Sequence, residues 1–263
     1  MRNPMMMHVR FQELSIGYRT GRNVKVIAER LTGELTGGEL TCLVGRNGTG
    51  KSTFLRTIAG LQAPIGGRVE VTPPRPSQGE GVGENSISIH SLSANERAKM
   101  IGVVLTQKPD VQNMTVEEVV GLGRTPYTGF FGTLSKEDHT IVGEAMEQVG
   151  IMPLAQRNIQ MLSDGERQKV MIAKALAQQT PVILLDEPTA FLDYPSKVEM
   201  MQMLHQMAKE MDKTIVLSTH DIELALQHAD RFLVMEASLM HVKLPSEIGL
   251  DSFLNDAGNI AAH

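Results

Sequence analysis

The chain carries a single cysteine, no tryptophan and only 4% aromatic residues. One thiol excludes an intrachain disulfide and suits a reducing, cytoplasmic setting. Flanked by Leu40, Leu43 and Val44, Cys42 reads as a small core residue rather than a reactive one. A basic excess is also missing. Lysine and arginine number 25 against 30 acidic residues, a net charge of -5, which argues against nucleic acid as a partner because such binders show a basic stripe. A nucleotide site stays open, since backbone dipoles bind phosphate without net positive charge. No apolar run approaches the ~18 residues of a membrane span, so any membrane role falls to partners. The opening "MRNPMMMHVRFQEL" lacks the apolar core and small-residue cleavage site of a secretion signal.

What is present is alternation. The runs "LTCLV" (40–44), "IGVVL" (101–105), "PVILLDE" (181–187), "KTIVLSTH" (213–220) and "FLVM" (232–235) read as buried strands separated by helical patterns, the mark of an α/β domain with a parallel sheet. "ELSIGY" and "GGRVEVT" suggest a smaller antiparallel sheet. Between 108 and 165 the pattern turns helical, with capping boxes at Thr115/Glu118 and Ser135/Asp138. The expected organisation is one domain over 1–263, with a core of 1–107 and 166–263 and a helical part at 108–165. The proline- and glycine-rich stretch 72–86 reads as a mobile surface loop rather than a site. The methionines of "KVEMMQMLHQMAKEM" read as helix core.

Chemistry gathers at the strand ends. "GRNGTGKST" (45–53) lies between a strand and a helix, the required setting of a phosphate-binding loop. Gly45, Gly48 and Gly50 let the backbone curl so that its N–H groups face phosphate. Lys51 would reach the β- and γ-phosphates, and Ser52 would offer its hydroxyl to Mg²⁺. "VILLDE" delivers Asp186, a Mg²⁺ ligand direct or through water, and Glu187, a general base for an attacking water. His220 leaves the same sheet edge and would contact a γ-phosphate. Gln107 follows "IGVVLT", where its amide oxygen could coordinate Mg²⁺ or water. His139, His205 and His228 show no metal-ligand spacing. "LSDGERQKV" (162–170) is a polar helix start, with Ser163 and Asp164 both good caps, and so an anion site.

In this order the motifs resemble the ATP-binding cassette ATPases over nearly the whole chain: the phosphate loop, Gln107, "LSDGERQ" (162–168), "VILLDEPTAFLD" (182–193) and His220. The resemblance implies a phosphate-loop NTPase fold, a parallel-sheet core with a small antiparallel β subdomain and a helical subdomain. It implies ATP with Mg²⁺, a homodimer paired head to tail, and two nucleotides between the copies. Gly45, Arg46, Asn47, Gly48, Thr49, Gly50, Lys51, Ser52 and Thr53 of one copy would hold ATP, with Tyr18 stacked on adenine. Ser163, Asp164, Gly165 and Glu166 of the other copy would complete the site, and Asp193 would lie at the interface. The common form of the signature is Leu-Ser-Gly-Gly-Gln, so Asp164 and Glu166 are departures. Unit charges ~4 Å apart repel by ~4 kcal/mol at an effective dielectric of 20, so Asp164 is expected to face away from phosphate.

"GLGRTPYTGFFGTLSKED" together with "LSDGERQKVMIAKALAQ" resembles the ATPases of bacterial importers for ferric siderophores, haem or cobalamin. That implies a separate membrane permease docked at the helical part and the Gln107 region. It also implies an indirect periplasmic or surface substrate-binding protein, and a peripheral position on the cytoplasmic face of the inner membrane. The alternatives are an ATPase of iron–sulfur cluster assembly and a cobalamin importer.

Overall fold

The computed structural model describes residues 7–72, 86–106, 113–129, 132–236 and 239–248. Gln107 and residues 73–85 of the proline- and glycine-rich stretch lie outside the described residues. Along the chain run β1 (His8–Thr20), β2 (Asn23–Leu35), β3 (Leu40–Gly45), α1 (Lys51–Ile58), β4 (Gly66–Thr72) and β5 (Ile87–Ser88). Next come α2 (Ala94–Met100), β6 (Ile101–Val104), α3 (Val116–Gly121), α4 (Lys136–Gln148), α5 (Asp164–Ala177) and β7 (Val182–Asp186). The last are α6 (Tyr194–Glu210), β8 (Thr214–Ser218), α7 (Ile222–His228), β9 (Arg231–Glu236) and β10 (Leu239–Lys243).

The five expected core strands join one six-stranded sheet of order β10-β9-β3-β8-β7-β6. Pairing is parallel from β9 through β6, and β10 closes the edge antiparallel to β9. Buried on both faces, these strands divide their side chains by the two-residue period. Leu40, Cys42, Val44, Ile183, Leu185, Ile215 and Leu217 face a core shared with α3 to α7. Leu43, Val182, Leu184, Val216 and Leu233 face the opposite core, with α1 and the second sheet. Each such aliphatic side chain is worth ~1.5–3 kcal/mol of burial. Cys42 is wholly buried, as expected, and desolvation pushes its thiol far up from the ordinary range.

The second sheet is antiparallel with order β2-β1-β4-β5. Strand β2, β5, the antiparallel β10 and helix α2 go beyond the elements expected from periodicity. In β2 the reason is edge exposure: six of its first eight residues face solvent or lie at the surface in runs rather than in alternation. Helix α2 buries no residue fully and is held by a capping box from Ser93 and Glu96.

Helices α3 and α4 pack together and against α5, which also meets β6. Both capping boxes read from the sequence are formed, at Thr115/Glu118 and Ser135/Asp138. Helix α5 runs on from this helical layer toward the strand β7 that follows it. The methionines of α6 are core residues, with Met200, Met201 and Met207 buried.

Candidate active site

Parallel strand order brings three chain-distant segments to one edge. The phosphate loop leaves β3, Asp186 ends β7 and Ser218 ends β8, with β8 lying between the other two. Carboxyl ends of parallel strands are where open α/β sheets bind ligands. The loop's glycines are demanded by its path. Gly45 has φ 153° and a Cβ there would lie 2.4 Å from the Met235 carbonyl oxygen, while at Gly50, φ 102°, it would lie 2.7 Å from Ile27 Cγ2. Lys51 opens α1 and its Nζ donates to the carbonyl oxygens of Gly45 (2.8 Å) and Arg46 (3.2 Å). Burial pulls this ammonium below the ordinary lysine range, while Glu187 and Asp186 act to raise it.

Ser52 donates to Asp186 Oδ1 at 3.0 Å, and Ser218 donates to the same oxygen at 2.7 Å. The Thr106 hydroxyl donates to the Asp186 carbonyl at 2.8 Å. Beyond the strand, Glu187 turns into the left-handed region at φ 51°, uncommon for a residue with a side chain. Its N–H donates to Ser218 Oγ at 2.9 Å. Its Oε1 lies 2.6 Å from His220 Nε2. The structure therefore assembles Lys51, Ser52, Asp186, Glu187 and His220, which lie up to 169 positions apart in the chain.

The remaining expected residues fall elsewhere. Tyr18, half exposed on β1, shares a 2.9 Å hydrogen bond between its hydroxyl and Thr53 Oγ1, which fixes it beside the loop. Ser163 is the cap of α5. Its hydroxyl accepts from the Glu166 N–H at 3.2 Å and donates to Glu166 Oε2 at 2.8 Å, and that oxygen also accepts the Ser163 N–H at 2.8 Å. These bonds hold the Glu166 carboxyl below its ordinary range. Asp164 pairs with Arg167 at 3.0 Å. Asp193 caps α6 by accepting the Ser196 N–H at 3.1 Å. The Ser163–Glu166 spacing is itself a capping-box signature, so that contact was legible. Ser218 and Thr106 gave no signal, because a lone hydroxyl at a strand end is unremarkable until the register is known.

Fold and edge together define a phosphate-loop ATPase. Residues 28–190 match the ABC transporter family, and the chain belongs to it. Over 86% of the chain and 72% of its length, an uncharacterised ABC transporter ATP-binding protein of Methanocaldococcus jannaschii is 41% identical. An iron(3+)-hydroxamate import ATP-binding protein of Bacillus subtilis is 38% identical over 84% of the chain and 74% of its own. A ferric enterobactin transport ATP-binding protein of Escherichia coli is 33% identical over 91% and 83%. Among solved structures, the dimeric structure of a bacterial ABC transporter cassette has a TM-score of 0.74 at 26% identity, covering 90% of this chain and 98% of that one. A related post-hydrolysis dimer bound to ADP and Pi has a TM-score of 0.73 at 27% identity, covering 90% and 98%. The protein is thus an ATP-binding, ATP-hydrolysing ABC subunit. No helix among its described residues is long and apolar enough to cross a membrane.

Proposed function

We propose that this ATPase powers import of a ferric siderophore or haem through a separate membrane permease, as a head-to-tail dimer with two ATP molecules between the copies. The observation that carries the hydrolytic part of the reading is the Glu187–His220 contact of 2.6 Å at the edge where Ser52 and Asp186 also meet. The import part is supported by the described roles of the relatives. Here Glu187 takes the proton of the attacking water, a role worth ~10²–10⁴ in rate. His220 orients that carboxylate and meets the γ-phosphate, and Lys51 leaves the loop carbonyls to bind the β- and γ-phosphates.

Magnesium suits the oxygens present. Ser52 Oγ and Asp186 Oδ1, 3.0 Å apart, are hard donors of the kind this ion selects. These two, with Gln107, would hold Mg²⁺, which neutralises charge on the phosphate oxygens when bound. Tyr18 stacks on adenine. Ser163 and Gly165 of the opposite copy approach the γ-phosphate, and Asp193 lies at the interface. Gly165 supports this assignment, because a Cβ there would meet only Leu192 at an ordinary 3.7 Å. Packing among the described residues does not require glycine at this position. Asp164, held by Arg167, faces away.

The helical part at 108–165 and the Gln107 region dock the permease, placing the chain peripherally on the cytoplasmic face of the inner membrane. The relatives support an iron-chelate cargo by their described roles in hydroxamate, enterobactin and achromobactin transport, while another is described as importing cobalamin. In such a system a substrate-binding protein delivers cargo to the permease. Two measurements test the reading. Glu187→Gln retains ATP binding, accumulates the dimer on size-exclusion chromatography and loses phosphate release; unchanged turnover removes Glu187 from the mechanism. Co-purification from the native membrane yields a polytopic permease whose vesicles take up iron chelates with ATP. Recovery of soluble scaffold proteins instead overturns the transport reading, and uptake of cobalamin alone changes the cargo.

A further inference from the structure

We propose that Ser218 is a positioning residue for ATP hydrolysis, with one buried hydroxyl that aims the Asp186 carboxylate and pins the backbone of Glu187. This inference rests on the roles given above to Asp186 and Glu187. A serine hydroxyl has one hydrogen to donate and lone pairs to accept with. Ser218 gives its hydrogen to Asp186 Oδ1 at 2.7 Å and accepts the Glu187 N–H at 2.9 Å. The parallel register sets Asp186 directly beside Ser218, so both bonds join neighbouring positions of paired strands.

Three features separate this hydroxyl from an incidental one. Ser218 is fully buried, so water cannot replace it for either partner. Its acceptor bond falls on the residue whose φ of 51° needs support from its surroundings. Its donor bond shares an oxygen with Ser52, which places the Asp186 carboxylate toward α1. Thr214 supplies the contrast. It lies on the same strand, equally buried, and its Oγ1 has no hydrogen-bond partner among the described residues. Strand β8 therefore tolerates an idle hydroxyl, and Ser218 is not idle.

The test compares Ser218→Ala with Thr214→Val in the full chain. Measured are phosphate release at saturating ATP, equilibrium binding of a fluorescent ATP analogue titrated with Mg²⁺, and thermal unfolding. Groups that orient metal ligands typically contribute about 10- to 100-fold to affinity or activity. Ser218→Ala is expected to lower kcat by that range and to raise the Mg²⁺ concentration for half-maximal analogue binding. Analogue binding without Mg²⁺ stays within about twofold, because the alanine leaves the loop contacts to nucleotide in place. Thr214→Val leaves both parameters unchanged. Should Ser218→Ala not fold, Ser218→Cys, close in volume but a weak donor, must show the same two losses. Wild-type kcat and Mg²⁺ dependence in the folded variant, while Glu187→Gln is inactive, overturn the role of Ser218 and leave the ATPase mechanism standing. Turnover retained by Glu187→Gln overturns the mechanism itself.

Discussion

Two helix starts in this chain follow polar or glycine-rich segments, and they differ in what surrounds them. The start of α1 is preceded by the glycine loop and faces Asp186, Glu187 and His220 from neighbouring strands. The start of α5 is capped from within its own first turn, where its serine and glutamate bond each other. The first is a nearly complete catalytic edge within one molecule. The second is a capped helix whose polar groups are satisfied locally, with a glycine that its own packing does not explain. The contrast teaches that if α5 is half of a two-copy site, as proposed above, that half looks, inside one copy, like ordinary helix capping.

That contrast can be broken in several places. The largest effect belongs to the α1 edge, where Glu187→Gln lowers phosphate release by ~10²–10⁴-fold, the usual worth of a positioned base, with ATP binding kept. At α5, Ser163→Ala costs about 1 kcal/mol of stability as a lost cap and also lowers turnover, by less than Glu187→Gln does. Ser163→Asn separates the roles: asparagine caps well and its amide can both accept the Glu166 N–H and donate to the Glu166 carboxylate, so denaturant melts recover while phosphate release does not. If turnover also recovers, Ser163 is a cap and nothing more. Gly165→Ala splits the same quantities in the opposite sense. Alanine inside a helix gains ~0.5–1 kcal/mol over glycine, so the melting point rises or holds while ATP turnover falls.

The smallest effect tests the layer that carries α5. Arg124 Nε donates to Asp138 Oδ1 at 2.8 Å, and its Nη1 donates to the Ala177 carbonyl at 2.8 Å, which straps α4 to the end of α5. The Arg124 hydrogen bond, then those from Ser135, lower the Asp138 pKa from 3.8 to about 2. A carboxyl lowered on folding stabilises above its unfolded value, and that stability is lost as pH falls through the folded value. Asp138→Asn should therefore melt below the parent at neutral pH, with the gap closing between about pH 4 and pH 2. A gap independent of pH across that window would show that the carboxylate charge is not what the strap uses.

Much of the fold was open to reading because its signals are local. The run "LTCLVGRNGTGKST" states a strand, a loop that only glycine can follow, and a helix start in direct succession. Thr115/Glu118 and Ser135/Asp138 announced their helices by spacing alone. Strand β2 escaped because an edge strand with runs of exposed residues has no period to detect. Strand β10 escaped because it is a largely exposed edge strand with no buried alternation. Asp193, whose candidate role is at an interface, also caps α6, a second duty that the spacing to Ser196 discloses once a helix is placed there.

The sequence by itself determined the class of chemistry: Lys51 and Ser52 follow a glycine loop, and Asp186, Glu187 and His220 lie at or just beyond strand ends, a combination with few other uses. Only the tertiary structure decided which hydroxyl serves which carboxylate. Ser218 touches Asp186 and Glu187 because β8 pairs with β7 in one register, and a slip of one residue would turn that hydroxyl to the other face. Local conformation is written in neighbouring residues, whereas register is settled by burying two faces of a sheet at once.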